Sequence, residues 1–297
     1  MSRRLLAISD VHVRFATNKE LLRSLPSFPD DGLVLAGDVG EREDDLAFAL
    51  EVLRPKFHSL YWVPGNHELW TLPSSLDGRP PSPADDARGD AKYLRMVDVC
   101  RSFDVKTPED PFVVWEGSGA PRAIALTFAL YDYTFAPDDI AGDAERARAW
   151  ALETGLRCSD EELLFFDPYP SREAWCRARC ELTEARLDAI PRELRSVLVN
   201  HFPVRREHAV LPRIPRFSIW CGTRRTESWV SRARADVVVF GHLHIPITHH
   251  REGVRYEEVS LGYPKQWIAT RPPESFLREI LPGPPPQPDG YRLRRHG

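Results

Sequence analysis

Five short apolar runs stand out along the chain, at residues 5–8, 33–36, 60–63, 197–199 and 237–240. Each has the length and the branched, aliphatic character of a strand buried on both faces. Between the first three runs the apolar spacing changes to a helical period, over 18–25 and again over 43–56, where Leu46, Leu50 and Leu53 fall on one face. Further strands are expected at 112–115, 123–127 and 254–259. Alternating strands and helices predict an α/β fold. Two excursions, 71–106 and 131–194, are longer than a simple connection requires, and each contains a helix, over 92–103 and 171–190. The domain is expected to span 1–270 with these two insertions. From 271 to 297 the chain is Pro-rich (Pro272, Pro273, Pro282, Pro284, Pro285, Pro286, Pro288) and is expected to be an extended tail that adds no strand.

The chemistry sits directly after the apolar runs. They end in Asp10-Val11-His12, Gly37-Asp38, Gly65-Asn66-His67-Glu68, Asn200-His201 and Gly241-His242-Leu243-His244. Polar donors therefore fall where strands stop, the edge at which open α/β sheets bind ligands. Asp, Asn and neutral imidazole suit hard or borderline divalent ions, and the absence of cysteine from all five segments argues against a closed structural zinc site. Two imidazoles at i and i+2 after an apolar strand are costly to bury unless something binds them. A carboxylate has two oxygens and can bridge two ions. Two such ions, roughly 3.5 to 4 Å apart, polarise a phosphoryl group and stabilise both the entering and the leaving oxygen.

The ordered set D-x-H, G-D, G-N-H-E, a lone His and G-H-x-H resembles the calcineurin-like metallophosphoesterase superfamily, and the resemblance covers roughly residues 4 to 265. It implies a four-layer α/β/β/α sandwich of two mixed sheets flanked by helices, with the metal site at the strand C-terminal ends. It implies Asp10, His12, Asp38 and His244 around one divalent ion and Asp38, Asn66, His201 and His242 around the other, with Asp38 as the bridge. It further implies in-line attack on phosphorus by a metal-bridging hydroxide, while His67, beside a ligand but not one itself, assists the leaving oxygen. Mn, Fe, Zn, Co and Ni all suit such nitrogen and oxygen donors.

Composition narrows the setting. The chain has 297 residues, 42% of them hydrophobic, and a net charge of −4, which disfavours a general nucleic-acid or membrane-surface role. The apolar run after Arg3-Arg4 stops at Ser9-Asp10, too early for an export signal, and no stretch approaches a membrane span, so a cytoplasmic protein is expected. Five cysteines (Cys100, Cys158, Cys176, Cys180, Cys221) without a framework spacing read as reduced thiols. His249-His250 reads as exposed. Near the ligands in sequence, Arg14 and Arg205 are candidates to hold a substrate phosphate, and Tyr131, in the aromatic patch 131–135, is a candidate substrate contact.

The function expected from the sequence is a metal-dependent phosphoesterase, leaning to a phosphomonoesterase on a small phosphorylated metabolite or nucleotide. A phosphodiesterase acting on a cyclic nucleotide or nucleic acid is the alternative, with Arg232 and Arg234 as possible backbone contacts. A non-catalytic scaffold ranks lowest, since every ligand is present. The two excursions are expected to form a lid or wall that selects the substrate.

Overall fold

A computed structural model describes residues 3–73, 86–284 and 287–294. The proline- and aspartate-rich run holding Pro80, Pro81, Pro83 and Asp85, and the tail residues Pro285, Pro286 and Arg295, lie outside these described residues.

Two sheets face one another. The first contains β1 (Leu5–Ile8), β2 (Phe28–Leu35) and β3 (Phe57–Trp62), mutually parallel, with an antiparallel edge strand from the C-terminal region at Arg278–Leu281, in the order edge-β1-β2-β3. The second is built around β5 (Arg122–Leu126), β6 (Arg195–Val199), β7 (Ala235–Phe240) and β9 (Val254–Glu258), again parallel. Antiparallel strands extend it: β4 (Val113–Trp115) beside β5, β8 (Ile247–Arg251) beside β9, and a last strand, Gly290–Leu293, beside β8. In chain order the two late strands are β10 (Arg278–Leu281) and β11 (Gly290–Leu293).

The unbroken apolar runs are explained by burial on both faces. Leu5 and Ala7 of β1, Val34 of β2, Val197 and Val199 of β6, and Val237 and Val239 of β7 fill the layer between the sheets. Their neighbours in sequence, Leu6, Ile8, Leu33, Leu35, Leu198, Val238 and Phe240, point the other way into the helical layers. Helices α1 (Ala16–Ser24), α2 (Glu43–Leu53) and α3 (Gly89–Ser102) pack in succession on one side, and α6 (Arg172–Asp188) packs on α7 (Trp229–Arg232), which lies on β7, on the other. This is the expected four-layer sandwich.

Local signals set the element ends. The helix expected over 43–56 stops at Leu53 and tightens into a 3₁₀ turn at Arg54–Lys56, because Pro55 supplies no N–H to continue the α ladder. Ser171 caps α6 by accepting from the Ala174 N–H at 3.2 Å. The second excursion contains two shorter helices besides α6, namely α4 (Ala144–Leu152) and α5 (Asp160–Leu163).

The C-terminal region departs from expectation, because it adds two strands. β10 occupies the four residues before Pro282 and sends Ile280 and Leu281 into the inter-sheet core, and β11 begins after the last proline of the run. Both sit at sheet edges, where neighbouring prolines are tolerated because one side of the strand needs no ladder. His249 and His250 belong to β8 and are half-buried, with His249 edge-on to Tyr291 of β11. Among the described residues no helix is long and apolar enough to cross a membrane.

Candidate active site

The loops that leave β1, β2, β3, β6 and β7 all end at one edge of the sandwich. Pairing continues past the strands: Asp10 N–H donates to the Gly37 carbonyl at 2.9 Å, and His12 N–H to the Asp38 carbonyl at 3.0 Å. Ser9 forms a bridge with Ser260, which ties the first sheet to the second beside the site. The chain then turns sharply at the donors themselves. Asp10, His12, Asp38, His242 and His244 all have left-handed backbone, with φ between 44° and 70°. That conformation disfavours side chains with a Cβ, so five such residues in one place mark a site whose geometry is imposed by its surroundings.

Two glycines of the motifs are required by close approach. A Cβ on Gly65 would lie 2.0 Å from Asp38 Oδ1, and a Cβ on Gly241 would lie 2.0 Å from Ser9 Oγ and 2.3 Å from Asp10 Oδ2.

The side chains converge in three groups whose donor atoms lie within 4.8 Å of one another: Asp10, His12 and His244; Asp38, His201 and His242; and His12, Glu41 and His67. In the first, His244 Nε2 is 2.9 Å from Asp10 Oδ1 and 3.3 Å from His12 Nε2. In the second, His201 Nε2 is 3.4 Å from Asp38 Oδ2. Asn66 joins the second group, its Oδ1 lying 3.1 Å from His242 Nδ1.

Partners behind these side chains orient them. His201 Nδ1 meets the Ala36 carbonyl at 2.8 Å and His244 Nδ1 meets Gln266 Oε1 at 2.8 Å, so each ring donates outward and turns Nε2 toward the cluster. Asp10 Oδ2 accepts from Ser9, Ser260 and the His242 N–H, leaving Oδ1 facing only the His244 imidazole, 2.9 Å away. His242 Nε2 is buried without a hydrogen-bond partner. Buried, unsatisfied donor atoms pointing at a common centre fit divalent cations, as do the donor types.

Electrostatics agree. Burial and the nearby His67 hold His12 well below the ordinary imidazole value, and burial with His201 pushes His242 down to about 3. Against burial, Asp38 raises His201 to about 10 and Asp10 raises His244 to about 9. The same pairs hold both carboxylates well below their usual range despite burial. The two buried carboxylates thus favour positive charge on the groups around them.

His67 packs against the cluster, its ring centroid 4.6 Å from that of His12. Its Nδ1 lies 3.1 Å from Glu41 Oε1, its Nε2 lies 3.8 Å from Asp38 Oδ2, and its backbone N–H donates to Asp38 Oδ1. Although burial opposes protonation, Asp38 and Glu41 together raise its pKa. Glu41 carries no signal of this role in the sequence, although it lies only three residues after Asp38. Glu68, the last residue of the G-N-H-E motif, accepts from the N–H groups of Asp38, Val39 and Gly65 at 2.9, 2.6 and 2.8 Å. It clamps the β2 and β3 loops together, a role the motif alone does not reveal. Gln266 had no sequence signal, being 22 residues from the imidazole it orients.

The expected substrate contacts fare differently. Arg14 lies at the rim, its guanidinium 3.5 Å from Glu41 and its side chain 43% exposed. Arg205 is engaged elsewhere, with Glu207 at 2.8 Å and Glu252 at 3.6 Å, beyond the end of β8. Tyr131 is fully buried edge-on to Tyr133 and Phe202, and Tyr133 and Phe135 are buried too, so the aromatic patch is packing and presents no stacking surface. Cys176 and Cys180 are buried free thiols on α6.

Comparison with known proteins supports the same reading. The family model described as calcineurin-like phosphoesterase matches residues 3–246. The chain is 45% identical over 291 residues to acyl-carrier-protein phosphodiesterase PptH of Mycobacterium tuberculosis (strain ATCC 25618 / H37Rv), covering 97% of this chain and 86% of that protein. It superposes on the crystal structure of phosphopantetheinyl hydrolase (PptH) from Mycobacterium tuberculosis with a TM-score of 0.87, covering 95% of this chain and 97% of that one. With its ligand loops, its two-sheet sandwich and these relatives in agreement, the chain belongs to the calcineurin-like phosphoesterases and is a metal-dependent hydrolase of phosphate esters.

Proposed function

We propose that this chain is a phosphodiesterase that cleaves the ester joining a phosphopantetheinyl arm to an acyl carrier protein. The observation that carries this reading is the 45% identity to PptH across 97% of this chain, in which the motif loops and both excursions are included. The small-molecule monoester favoured by the sequence rested on a ligand set that serves monoesters and diesters alike, and the relative's activity favours a protein-linked diester. A nuclease is disfavoured because the two arginines that suggested backbone contacts are engaged within the protein, Arg232 with Glu184 and Asp188 and Arg234 with the carbonyls of Ile190, Pro191 and Leu194.

In this reading Asp10, His12 and His244 would hold one cation and Asn66, His201 and His242 another, with the Asp38 carboxylate available to both. Divalent ions held there lower the pKa of water and offset charge on the phosphoryl oxygens. The residues do the rest. Asp38 and Asp10 stay ionised, and Gln266 and the Ala36 carbonyl fix the tautomers of His244 and His201. His67, held through Glu41 and favouring its protonated form, gives its Nε2 proton to the departing oxygen of the carrier protein.

The test uses the purified protein with holo acyl carrier protein, following loss of the phosphopantetheinyl mass from the carrier by intact-protein mass spectrometry, alongside an aryl phosphate and its bis-aryl diester. Conversion of holo to apo carrier protein and preference for the diester are expected. Rapid monoester hydrolysis with an untouched carrier protein would refute the proposal. His67→Ala should keep its metal and lose about 10² to 10⁴ in turnover. A fully active His67→Ala protein would remove the role given to it.

A further inference from the structure

We propose that Asp160, carried on α5 in the second excursion, is a positioning residue that aligns two parts of the site at once: the amide of Asn66 and, through Trp70, the ring of His67. Asp160 is fully buried, and its Oδ1 accepts from Asn66 Nδ2 at 2.9 Å and from Trp70 Nε1 at 2.7 Å. A carboxylate only accepts, so it selects the amide orientation in which Asn66 turns its NH₂ away from the cluster. The opposite end, Oδ1, is then presented toward His242 Nδ1. Without that anchor the amide is free to flip and offer donors where a cation needs a lone pair. The second bond fixes the indole of Trp70, whose ring centroid lies 3.7 Å from that of His67.

Asp160 is itself held by the excursion. Arg172 donates to the carbonyls of Asp160 and Leu164 at 2.8 and 3.0 Å, and the neighbouring Glu161 accepts from Tyr133 and Trp220. The strand-end loop is stitched to the same helix by the Trp70 to Leu164 bridge and by the Thr71 N–H to Leu163 carbonyl bond. A buried carboxylate is expensive to maintain, and here the two side-chain donors it satisfies both belong to the site. The excursion therefore works as a brace behind the metal ligands.

The inference rests on the reading of Asn66 as a metal ligand, and the test separates the two. In the full chain stripped of metal, Mn²⁺ affinity is measured by competition with a fluorescent chelator, and kcat and KM are measured on a bis-aryl phosphate. Asp160→Ala should weaken Mn²⁺ binding about 10- to 100-fold and lower kcat with little change in KM, whereas Asp160→Asn, whose amide oxygen still accepts, should retain most of both. If the alanine variant does not fold, Asp160→Leu removes the acceptors at similar volume and carries the same expectation. In an Asn66→Ala background, Asp160→Ala should cost no further affinity. Wild-type affinity in Asp160→Ala, equal impairment in Asp160→Asn, or losses that add in full to Asn66→Ala would each overturn the proposal. Wild-type metal affinity in Asn66→Ala alone would instead overturn the metal-site reading beneath it.

Discussion

The substitution Gly65→Ala isolates how closely the two ligand loops must approach. The added Cβ would lie 2.0 Å from Asp38 Oδ1 and 2.6 Å from Asp38 N, whereas real Cβ contacts essentially never fall below 3.0 Å. The Asp38 carboxylate oxygen must move by about 1.0 Å, the difference between 3.0 and 2.0 Å, and the loop backbones must separate by about 0.4 Å, the difference between 3.0 and 2.6 Å. They are held from the other side by Glu68, which bonds the N–H groups of Asp38, Val39 and Gly65, so the strain falls on the Asp38 carboxylate and on the bond it accepts from the His67 N–H. A misplacement of about 1 Å in a catalytic constellation costs on the order of 10² in rate, equivalent to about 2.7 kcal/mol of transition-state stabilisation. Turnover of a bis-aryl phosphate, with metal content of the same sample by mass spectrometry, reads both consequences. Expected are a kcat/KM lowered about 100-fold and a substoichiometric metal content in a protein that still folds. Wild-type turnover with full metal content would refute the claim that these loops are in contact through Gly65.

Two further expectations come from charge. Because Asp38 and Asp10 raise His201 to about 10 and His244 to about 9, both rings carry protons at pH 7 in the metal-free protein, and coordination requires them neutral. Loading both positions should release about two protons, seen as a buffer-dependent enthalpy in titration calorimetry, and an enthalpy independent of the buffer would count against it. Seven residues after His201, His208 is buried against Tyr256 and Phe240 with neither ring nitrogen hydrogen-bonded; burial first, then His249, Arg205 and Arg251, push it down to about 3, with Glu207 only at 3.9 Å. Its folded value lies below its unfolded value, so the stability it confers is present above about pH 6.5 and is lost as pH falls toward 3. Between pH 7 and 5 the wild type should lose about 2 kcal/mol more than His208→Phe in urea unfolding, and parallel profiles for the two proteins would exclude it.

How much could be read in advance depends on how local the signal is. Strands buried on both faces need unbroken apolar runs, so β1, β2, β3, β6 and β7 announce themselves, and the candidate ligands are legible because each stands at the end of its run. Glu68 and Glu41 lie within or beside those motifs, yet their roles depend on which backbone N–H or imidazole another loop brings near. The C-terminal strands were illegible for a different reason: β10 and β11 are four residues each, surrounded by proline, and exist because a sheet edge is available to pair with. Arg205 shows the reverse, a residue near His201 in sequence whose charge is taken by Glu207 and Glu252.

The amino-acid order by itself determined the five strand ends, the donor types placed on them and hence the metal-dependent hydrolysis of phosphate esters, since hydrophobic periodicity and ligand chemistry are properties of neighbouring residues. Only the folded chain decided that Gln266 and Asp160 stand behind His244 and Asn66, that Tyr131 is packing, and that the tail completes both sheets. Those outcomes depend on contacts between residues from 22 to nearly 280 positions apart, set by how the layers close on one another, and no local pattern encodes them.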